Sequence, residues 1–349
     1  MANPVLTEAI DAVASGRDLS ADEAANVLRE IMEDEASEVE IAGFLVGLRA
    51  KGETVEEVAG LARTMRALAT PVETGRDDLL DTAGTGGGRP TFNVSTTAAL
   101  IAAGAGCAVA KHGNRSATGL SGSADVLEAL GARIDLGPEA VAACVRDVGF
   151  GFMFAPSHHQ ATRFVVPVRK ELAVRTIFNF LGPLTNPAGA TRQLIGVSDP
   201  AYLDVVAGAL AHLGVRRALV VSSDDGLDEM STAGRTQVVE VNGEEPGDPR
   251  IERWTVEPGD VGLPASAPDA VSGGTPEANA GTARRIFAGE PGPERDLAVL
   301  NAGAAIYVSG RAATLEAGVR AAETTIDAGD AEKALDRFVA QTQDLAPSS

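Results

Sequence analysis

From residue 78 onward, short apolar runs alternate with longer stretches of helical periodicity, and this alternation leaves few folds open to the chain. The clearest strand-like runs are residues 79–80, 107–110, 152–154, 193–197 and 218–221. Strands that alternate with helices form a mostly parallel sheet, because a parallel connection needs a crossover of helical length. We therefore predict an α/β domain with a mostly parallel central sheet and helices on both faces. The runs around Val238 and Trp254 predict a hairpin or an edge pair.

The segment before residue 72 has a different pattern. Three capping boxes, each a Ser or Thr followed three residues later by Glu, precede apolar residues at helical spacing. They are Ser20 with Glu23, Ser37 with Glu40, and Thr54 with Glu57. These boxes predict a small all-helical domain, which is either a plain bundle or one that also provides a dimer surface or a lid. We place this domain at residues 1–72 and the α/β domain at residues 73–349.

Length and charge exclude several classes of function. The chain has 349 residues, enough for two domains, and its 29 Lys+Arg against 49 Asp+Glu give a net charge of −20. Such a charge argues against nucleic acid or an anionic membrane as a partner. Cys107 and Cys144 stand in apolar surroundings and are expected to be buried thiols. With no basic start and no membrane-length apolar run, a cytoplasmic protein is expected.

Residues 84–88, Gly-Thr-Gly-Gly-Gly, lie between a predicted strand and a predicted helix, and we call them the glycine loop. Glycines let main-chain N–H groups approach an anion, and the start of the next helix adds its dipole. Asn93, Ser95 and Thr96 add polar groups that suit phosphate oxygens or a metal bridging them. A simple tight turn remains the alternative. The loop lacks the Walker lysine, and Arg89 occupies the third glycine position of the dinucleotide-binding motif.

Two further polar clusters follow predicted strands. Residues 111–116, Lys-His-Gly-Asn-Arg-Ser, form a compact group of donors after the run at 107–110, where ligands of a parallel sheet bind. Residues 224–229, the acidic loop, contain four carboxylates that would repel one another unless cations lie between them. Oxygen ligands beside a phosphate site favour Mg²⁺. A solvated loop remains the alternative for each cluster, and Thr232 and Gly234 give the acidic loop a faint likeness to the ribose-phosphate loop of purine-type phosphoribosyltransferases.

The stretch from residue 158 to 187 combines His158 and His159 with Arg169, Arg175 and a Gly-Pro-Leu-Thr-Asn-Pro turn at residues 182–187. Arg169 could pair with a carboxylate through two hydrogen bonds. The histidines are as readily explained by packing as by binding. The absence of HExxH and GxSxG motifs argues against zinc and serine hydrolysis.

The ordered set of motifs at residues 84–87, 93–96, 111–115, 121–125, 175–179, 182–187 and 228–229 resembles the anthranilate phosphoribosyltransferase family over residues 5 to 340. The resemblance implies the nucleoside-phosphorylase-like transferase fold, with a helical stretch near 160–190 completing the small domain. It also implies a homodimer and a transfer of the phosphoribosyl group from phosphoribosyl pyrophosphate to anthranilate, with Mg²⁺. Lys111, Mg²⁺ and main-chain N–H groups would stabilise the charge that develops on the leaving pyrophosphate.

The resemblance further implies a role for individual residues. The catalytic residues would be Lys111, His112 and Arg169. Phosphoribosyl pyrophosphate would contact Gly84, Gly87, Gly88, Thr91, Asn93, Ser95, Thr96, Lys111, Asn114 and Ser123. Anthranilate would contact Gly84, Asn114, His159 and Arg169. The Mg²⁺ ligands would be Ser95, Asp228 and Glu229.

This chain departs from the family pattern at two places. Gly88 stands where the glycine loop normally ends in Asp, and residues 117–120 read Ala-Thr-Gly-Leu where two serines are usual. We expect the loss of the Asp to weaken binding of surplus Mg²⁺. Two other functions stay open: a pyrimidine-nucleoside phosphorylase, whose lysine motif would read Lys-His-Ser-Thr-Gly-Gly, and a non-enzymatic nucleic-acid-binding paralogue, which should have a basic groove.

Overall fold

The computed structural model describes residues 2–116, 119–245 and 247–346, so Ala117 and Thr118 of the second departure lie outside the described residues. The strands are β1 (Leu80–Gly84), β2 (Val109–Gly113), β3 (Phe150–Phe154), β4 (Arg192–Gly196), β5 (Arg217–Ser223), β6 (Thr236–Asn242) and β7 (Arg250–Val256). The helices before β3 are α1 (Pro4–Ala14), α2 (Ala21–Met32), α3 (Glu38–Lys51), α4 (Val55–Ala67), α5 (Val94–Gly104), α6 (Ser123–Ala129) and α7 (Pro138–Val148). Those after β3 are α8 (Ala155–His158), α9 (Val166–Leu172), α10 (Phe178–Leu184), α11 (Leu203–His212), α12 (Pro276–Phe287), α13 (Pro293–Val308), α14 (Leu315–Asp327) and α15 (Asp330–Leu345).

The strands form one sheet in the order β3-β2-β1-β4-β5-β6-β7. Strands β1 to β5 are parallel, whereas β6 and β7 form the predicted antiparallel pair at one edge. The mostly parallel sheet is therefore confirmed. Because β2 and β4 flank β1, the direction in which the chain adds strands reverses at β1. The carboxyl ends of strands beside such a switch point are the usual ligand site of α/β sheets.

The second strand begins later than the sequence predicts. The run at residues 107–110 was expected to be the strand, but the Cys107 N–H still bonds to Ala102 at the end of α5. Pairing with β3 runs from Val109 to Gly113, so Lys111 and His112 lie within the strand and not on the loop after it. Pairing between neighbouring strands here overrides the polar character of those two residues.

The N-terminal helices begin where the sequence predicts. All three capping boxes form, and the side-chain oxygens of Ser20, Ser37 and Thr54 accept the N–H three residues further on. The amphipathic helices pack into one apolar cluster that also includes buried residues of α9, α10 and α11. Helices of the later stretch thus bury their apolar faces against the N-terminal helices.

Alternation along the central strands gives the sheet two apolar faces. On β5, Ala218 and Val220 belong to the cluster with the N-terminal helices, whereas Leu219 and Val221 belong to the cluster with α5, α7 and α12 to α15. Cys107 and Cys144 are buried and free, as predicted. In the described ranges, no helix is both long and apolar enough to cross a membrane.

Candidate active site

The glycine loop lies directly on the acidic loop. The Gly86 N–H donates to Asp228 Oδ2 at 2.7 Å, and Gly86 and Gly87 have φ of 64° and 80°, which glycine adopts without strain. A Cβ at Gly84 would lie 2.6 Å from Asp228 Oδ2, and one at Gly196, at the end of β4, only 1.4 Å from the main-chain oxygen of Asp228. Gly196, which our sequence reasoning missed, is therefore the residue that lets the acidic loop approach the sheet.

Gly88 also lies at the contact between the glycine loop and the acidic loop. A Cβ at this position would lie 2.8 Å from the main-chain oxygen of Gly226 and 2.9 Å from Asp228 Oδ1. Arg89, the next residue, links the glycine loop to the acidic loop. Its N–H donates to the Gly226 carbonyl, and its guanidinium pairs with Asp225 at 2.9 Å. An Asp at position 88 would thus displace the loop as well as add a charge. The effect of Gly88 on surplus Mg²⁺ stays a prediction, and Gly88→Ala is the variant needed beside Gly88→Asp to separate these two effects.

The four carboxylates of the acidic loop divide into two pairs. Asp224 is exposed and accepts from Gln237, and Asp225 is bound by Arg89, Ser223 and Ser231. The expectation that all four need bound cations is wrong for these two, because protein groups already compensate them. Only Asp228 and Glu229 remain directed toward the glycine loop and β2.

Asp228 and Glu229 suit a divalent cation. Burial raises the pKa of Asp228, and burial together with the Asp228 charge raises the pKa of Glu229 well above its usual value. Glu229 Oε2 is buried without a hydrogen-bond partner in the part of the chain that the structure describes. Within those ranges, no three His, Cys, Asp or Glu side chains form a metal cage. One or two carboxylates completed by substrate phosphates and water are what Mg²⁺ prefers, so the residues present fit this ion.

Lys111 is fully buried between β1 and the start of α5. Its ammonium group donates to the main-chain oxygen of Thr82 and lies 3.3 Å from both Thr82 Oγ1 and Ser95 Oγ. Burial lowers the pKa of Lys111 to about 8, although the charges of Asp81 and Glu229 oppose the decrease. A lysine held in this way remains cationic at neutral pH and lies close to Glu229 and Ser95.

The titration of Lys111 gives a first prediction. For the transfer that the family resemblance implies, kcat/KM for phosphoribosyl pyrophosphate should fall as the pH rises through about 8, because Lys111 loses its proton and its attraction for this anionic substrate. Initial rates from pH 6.5 to 9.5 at saturating anthranilate measure this limb. Lys111→Met should lower kcat/KM and flatten the limb, and an unchanged limb in that variant would assign it to another group.

Asp81 and Asn186 form a buried hydrogen-bond network beside Lys111 and His112, which sequence reasoning missed. Asp81 accepts from the His112 N–H at 3.1 Å and from Asn186 Nδ2 at 2.7 Å, and Asn186 Nδ2 also donates to Ala110 at 2.8 Å. Asp81 is fully buried, and burial raises its pKa while Lys111 opposes that change. The available indication was Asp81 directly after the apolar run at residues 79–80, because an acidic residue needs a partner when it is buried.

The hydroxyl groups at the start of α5 differ in whether they already have a hydrogen-bond partner. Thr96 is 1% exposed, and its Oγ1 has no hydrogen-bond partner among the described residues. Among the described residues, Ser95 Oγ forms a hydrogen bond only with the Lys111 ammonium group. Asn93, by contrast, already forms hydrogen bonds with Ser121 and Asn279. Its side-chain amide could bind a phosphate ligand only if these hydrogen bonds changed.

Arg115 does not join the expected cluster of donors. Its guanidinium pairs with Asp125 at 2.9 Å and with Glu128, both on α6, so these carboxylates already compensate its charge. Asn114 is exposed, and its Oδ1 accepts the Arg115 N–H at 2.7 Å. In the described ranges, no hydrogen bond joins the side chains of Thr91, Asn114 or Ser123 to the glycine loop or to Lys111.

Two neighbouring histidines are held neutral. The rings of His112 and His159 lie 5.0 Å apart, and burial lowers their pKa values to about 3 and about 4. His112 Nδ1 donates to Gly182 at 3.1 Å and His159 Nε2 to Thr185 at 3.0 Å, since carbonyl oxygens only accept. His112 Nε2 is therefore an acceptor, and it is buried without a partner in the described part of the chain.

Arg169 is a guanidinium that is available for an external anion. It lies on α9, half-buried, 5.5 Å from the centre of the Phe178 ring, and none of the described residues accepts a hydrogen bond from its side chain. Burial alone lowers its pKa. In a chain of charge −20, where most arginines are paired, an unpaired and partly desolvated guanidinium is suited to a carboxylate ligand.

The glycine loop, a buried lysine and two carboxylates lie at the switch point of a parallel sheet, beside a helical domain. This arrangement fits a transferase that acts on a phosphorylated sugar. Two family models agree: "Glycosyl transferase family, helical bundle domain" matches residues 7–69, and "Glycosyl transferase family, a/b domain" matches residues 76–332. The predicted boundary at residue 72 falls between these matches and remains a prediction.

Similar proteins identify the family more closely. The anthranilate phosphoribosyltransferase of Rubrobacter xylanophilus is 50% identical over 344 residues, 98% of this chain and 99% of the relative, and that of Haloferax volcanii is 50% identical over 325 residues, covering 93% and 96%. The Thermus thermophilus enzyme has a TM-score of 0.90 at 45% identity, covering 96% of this chain and 99% of its own. The Saccharomyces cerevisiae enzyme, solved with PRPP and Mg, has a TM-score of 0.88 at 26% identity and 99% coverage of both chains. The chain belongs to the anthranilate phosphoribosyltransferase family.

Proposed function

We propose that this protein transfers the phosphoribosyl group of 5-phosphoribosyl 1-pyrophosphate to the amine of anthranilate, giving N-(5-phosphoribosyl)anthranilate and pyrophosphate. This is the second step of tryptophan biosynthesis from chorismate. The observation that supports it best is the combination of an unpaired Arg169 for the acceptor with Lys111, Glu229 and the glycine loop for the donor. The lysine motif, Lys-His-Gly-Asn-Arg at residues 111–115, does not match that of the pyrimidine-nucleoside phosphorylases.

On the donor side, we propose that main-chain and hydroxyl groups bind the phosphates while Lys111 neutralises charge on the leaving pyrophosphate. Preorganised donors in a buried site stabilise developing charge without reorganisation, which makes them effective in catalysis. The proposed donor-binding residues are Gly84, Gly87, Gly88, Thr91, Asn93, Ser95, Thr96, Lys111, Asn114 and Ser123. Lys111 and Thr96 are the most favourably placed, because both are buried and Thr96 Oγ1 is unpartnered in the described part of the chain.

For the metal, we propose Ser95, Asp228 and Glu229 as the residues that would hold Mg²⁺. The bound ion would supply positive charge for the pyrophosphate oxygens. This chain contributes the two carboxylates at low dielectric, and Lys111 Nζ, 3.3 Å from Ser95 Oγ, lies beside the same position. The Gly86 N–H occupies one oxygen of Asp228, so that bond must be exchanged or shared when the ion binds.

On the acceptor side, we propose that Arg169 pairs with the anthranilate carboxylate while Gly84, Asn114 and His159 complete the binding site. Such pairing orients the amine toward the sugar carbon, a contribution of positioning. His112, with its pKa lowered to about 3, cannot retain a proton at neutral pH. Its unpartnered Nε2 would therefore accept a hydrogen bond from the amine and orient it, without acting as a base that stores the proton.

The direct test is the loss of anthranilate fluorescence in the presence of phosphoribosyl pyrophosphate and Mg²⁺. We expect turnover that requires all three components and releases one pyrophosphate for each anthranilate consumed. Phosphorolysis of thymidine or uridine without anthranilate turnover would favour the phosphorylase alternative. Salt-dependent binding to single-stranded DNA without any turnover would favour the nucleic-acid-binding alternative.

We also propose a homodimer through the helical domain, and a cytoplasmic location stays a prediction. Val39 and Val46 on α3 and Val166 on α9 are 81%, 46% and 52% exposed, and these two helices pack against each other. An exposed apolar surface of this kind is typical of an interface, and a two-fold axis would bury it against its own copy. Light scattering after size-exclusion chromatography should give a dimer for the native chain and a monomer for Val39→Glu/Val46→Glu.

A further inference from the structure

A chain of hydrogen bonds connects the helical domain to the acidic loop through the glycine loop. Arg49, near the end of α3, donates to the main-chain oxygen of Arg175. Arg175 Nη1 donates to the main-chain oxygen of Gly86 at 2.9 Å, and the Gly86 N–H donates to Asp228 at 2.7 Å. These bonds join four segments that are far apart in the sequence.

Side chains from two distant segments donate hydrogen bonds to the Gly86 carbonyl. Besides Arg175 Nη1, it accepts from Ser198 Oγ at 3.0 Å. Arg175 also packs so closely on the next residue that a Cβ at Gly87 would lie 2.1 Å from Nη1. A side chain at position 87 would therefore displace the Arg175 guanidinium, and the φ of 80° at Gly87 also favours glycine.

Fixing this carbonyl also fixes an amide. The peptide between Gly86 and Gly87 is planar and trans, so the Gly87 N–H points away from the Gly86 oxygen. The guanidinium of Arg175, on the carbonyl side, thereby determines the direction of an N–H group on the other side of the same peptide. That amide belongs to the residues proposed to bind the donor.

We propose that Arg175 is a positioning residue for the donor, acting through the glycine loop, and that Arg49 extends this control to the helical domain. This inference rests on the proposed function and adds a role for a residue to which the sequence motif at 175–179 assigned none. In the described ranges, Arg175 donates to Gly86 of the glycine loop, and no hydrogen bond joins its side chain to Asn114, His159 or Arg169. Its loss should therefore weaken binding of phosphoribosyl pyrophosphate and leave binding of anthranilate almost unchanged.

The central experiment replaces Arg175 by Met and measures both KM values and the melting temperature. Because this variant loses a hydrogen bond from a charged group to a loop carbonyl, we expect the KM for phosphoribosyl pyrophosphate to rise about tenfold. The KM for anthranilate should change less than about twofold. Arg175→Lys should recover part of the loss, because it keeps a cationic donor. Arg146→Met, which removes an exposed arginine on α7, is the matched control and should behave like the native chain.

Calorimetric titration with phosphoribosyl pyrophosphate and Mg²⁺ provides a readout independent of turnover. Arg49→Met should weaken donor binding to a smaller extent, and adding it to Arg175→Met should cost less than the sum of the single changes. Should Arg175→Met fail to fold, Arg175→Lys and Arg49→Met provide the same comparison.

Equal rises in both KM values, or an unchanged donor affinity, would overturn the positioning role. A native chain without anthranilate turnover would instead contradict the proposed function. Native turnover combined with an unaltered donor KM in Arg175→Met would refute only the inference about Arg175.

Discussion

Glu229→Gln should lower kcat/KM at physiological Mg²⁺ by at least about 100-fold and shift half-maximal activation to a higher Mg²⁺ concentration. The side chain keeps its size but loses the buried charge that we propose as a ligand of the ion. Asp228→Asn should act in the same direction. Its effect also includes the weaker bond from Gly86, which donates to Asp228 at 2.7 Å.

The measurement is a Mg²⁺ activation curve at fixed donor, with Mg²⁺ binding in the presence of pyrophosphate followed by calorimetry. Asp224→Asn is the matched control, because Asp224 belongs to the same loop but is exposed and bonded to Gln237. Glu229→Gln and Asp228→Asn should lose Mg²⁺ affinity, and the control should not. A normal activation curve for Glu229→Gln would exclude it as a ligand.

Arg169→Met should raise the anthranilate KM by about 10- to 100-fold and leave the donor KM within about twofold of the native value. Charge-assisted hydrogen bonds to a carboxylate contribute roughly 1.5–3 kcal/mol, and this guanidinium is partly desolvated. Arg169→Lys should recover only part of the affinity, because an ammonium group cannot form the paired bonds of a guanidinium.

Steady-state kinetics with each substrate varied in turn test this assignment. Aniline, which lacks the carboxylate, should be used equally poorly by the native chain and by Arg169→Met, whereas anthranilate should distinguish them. A similar loss of affinity for both substrates would assign Arg169 to the structure and not to the acceptor.

Local patterns predicted much of the fold. The three capping boxes mark the starts of α2, α3 and α4, since a hydroxyl and a carboxylate three residues apart are sufficient to satisfy the first N–H groups of a helix. The alternation after residue 78 predicted the parallel sheet and its antiparallel edge. The start of β2 was predicted two residues too early, because the end of α5 and the pairing with β3 decide it.

The site was predicted only in part, because residue type alone does not reveal which partners a side chain already has. Arg115 and Arg169 are indistinguishable as isolated guanidinium groups. Carboxylates on α6 pair with Arg115, whereas no described residue pairs with Arg169. Asp225 and Glu229 differ in the same way, since Asp225 forms an ion pair with Arg89, whereas Glu229 Oε2 has no hydrogen-bond partner among the described residues.

By itself, the sequence determined the order of the helices and strands and the family resemblance, because each element and each motif is a pattern of residues close together in the chain. Only the tertiary structure decided that Gly196 brings the acidic loop onto the sheet and that Asp81 and Asn186 support Lys111 and His112. It also decided that Arg175 reaches Gly86, 89 residues away in the chain. Burial, and with it the pKa of Lys111 and Glu229, arises only when distant segments exclude water together.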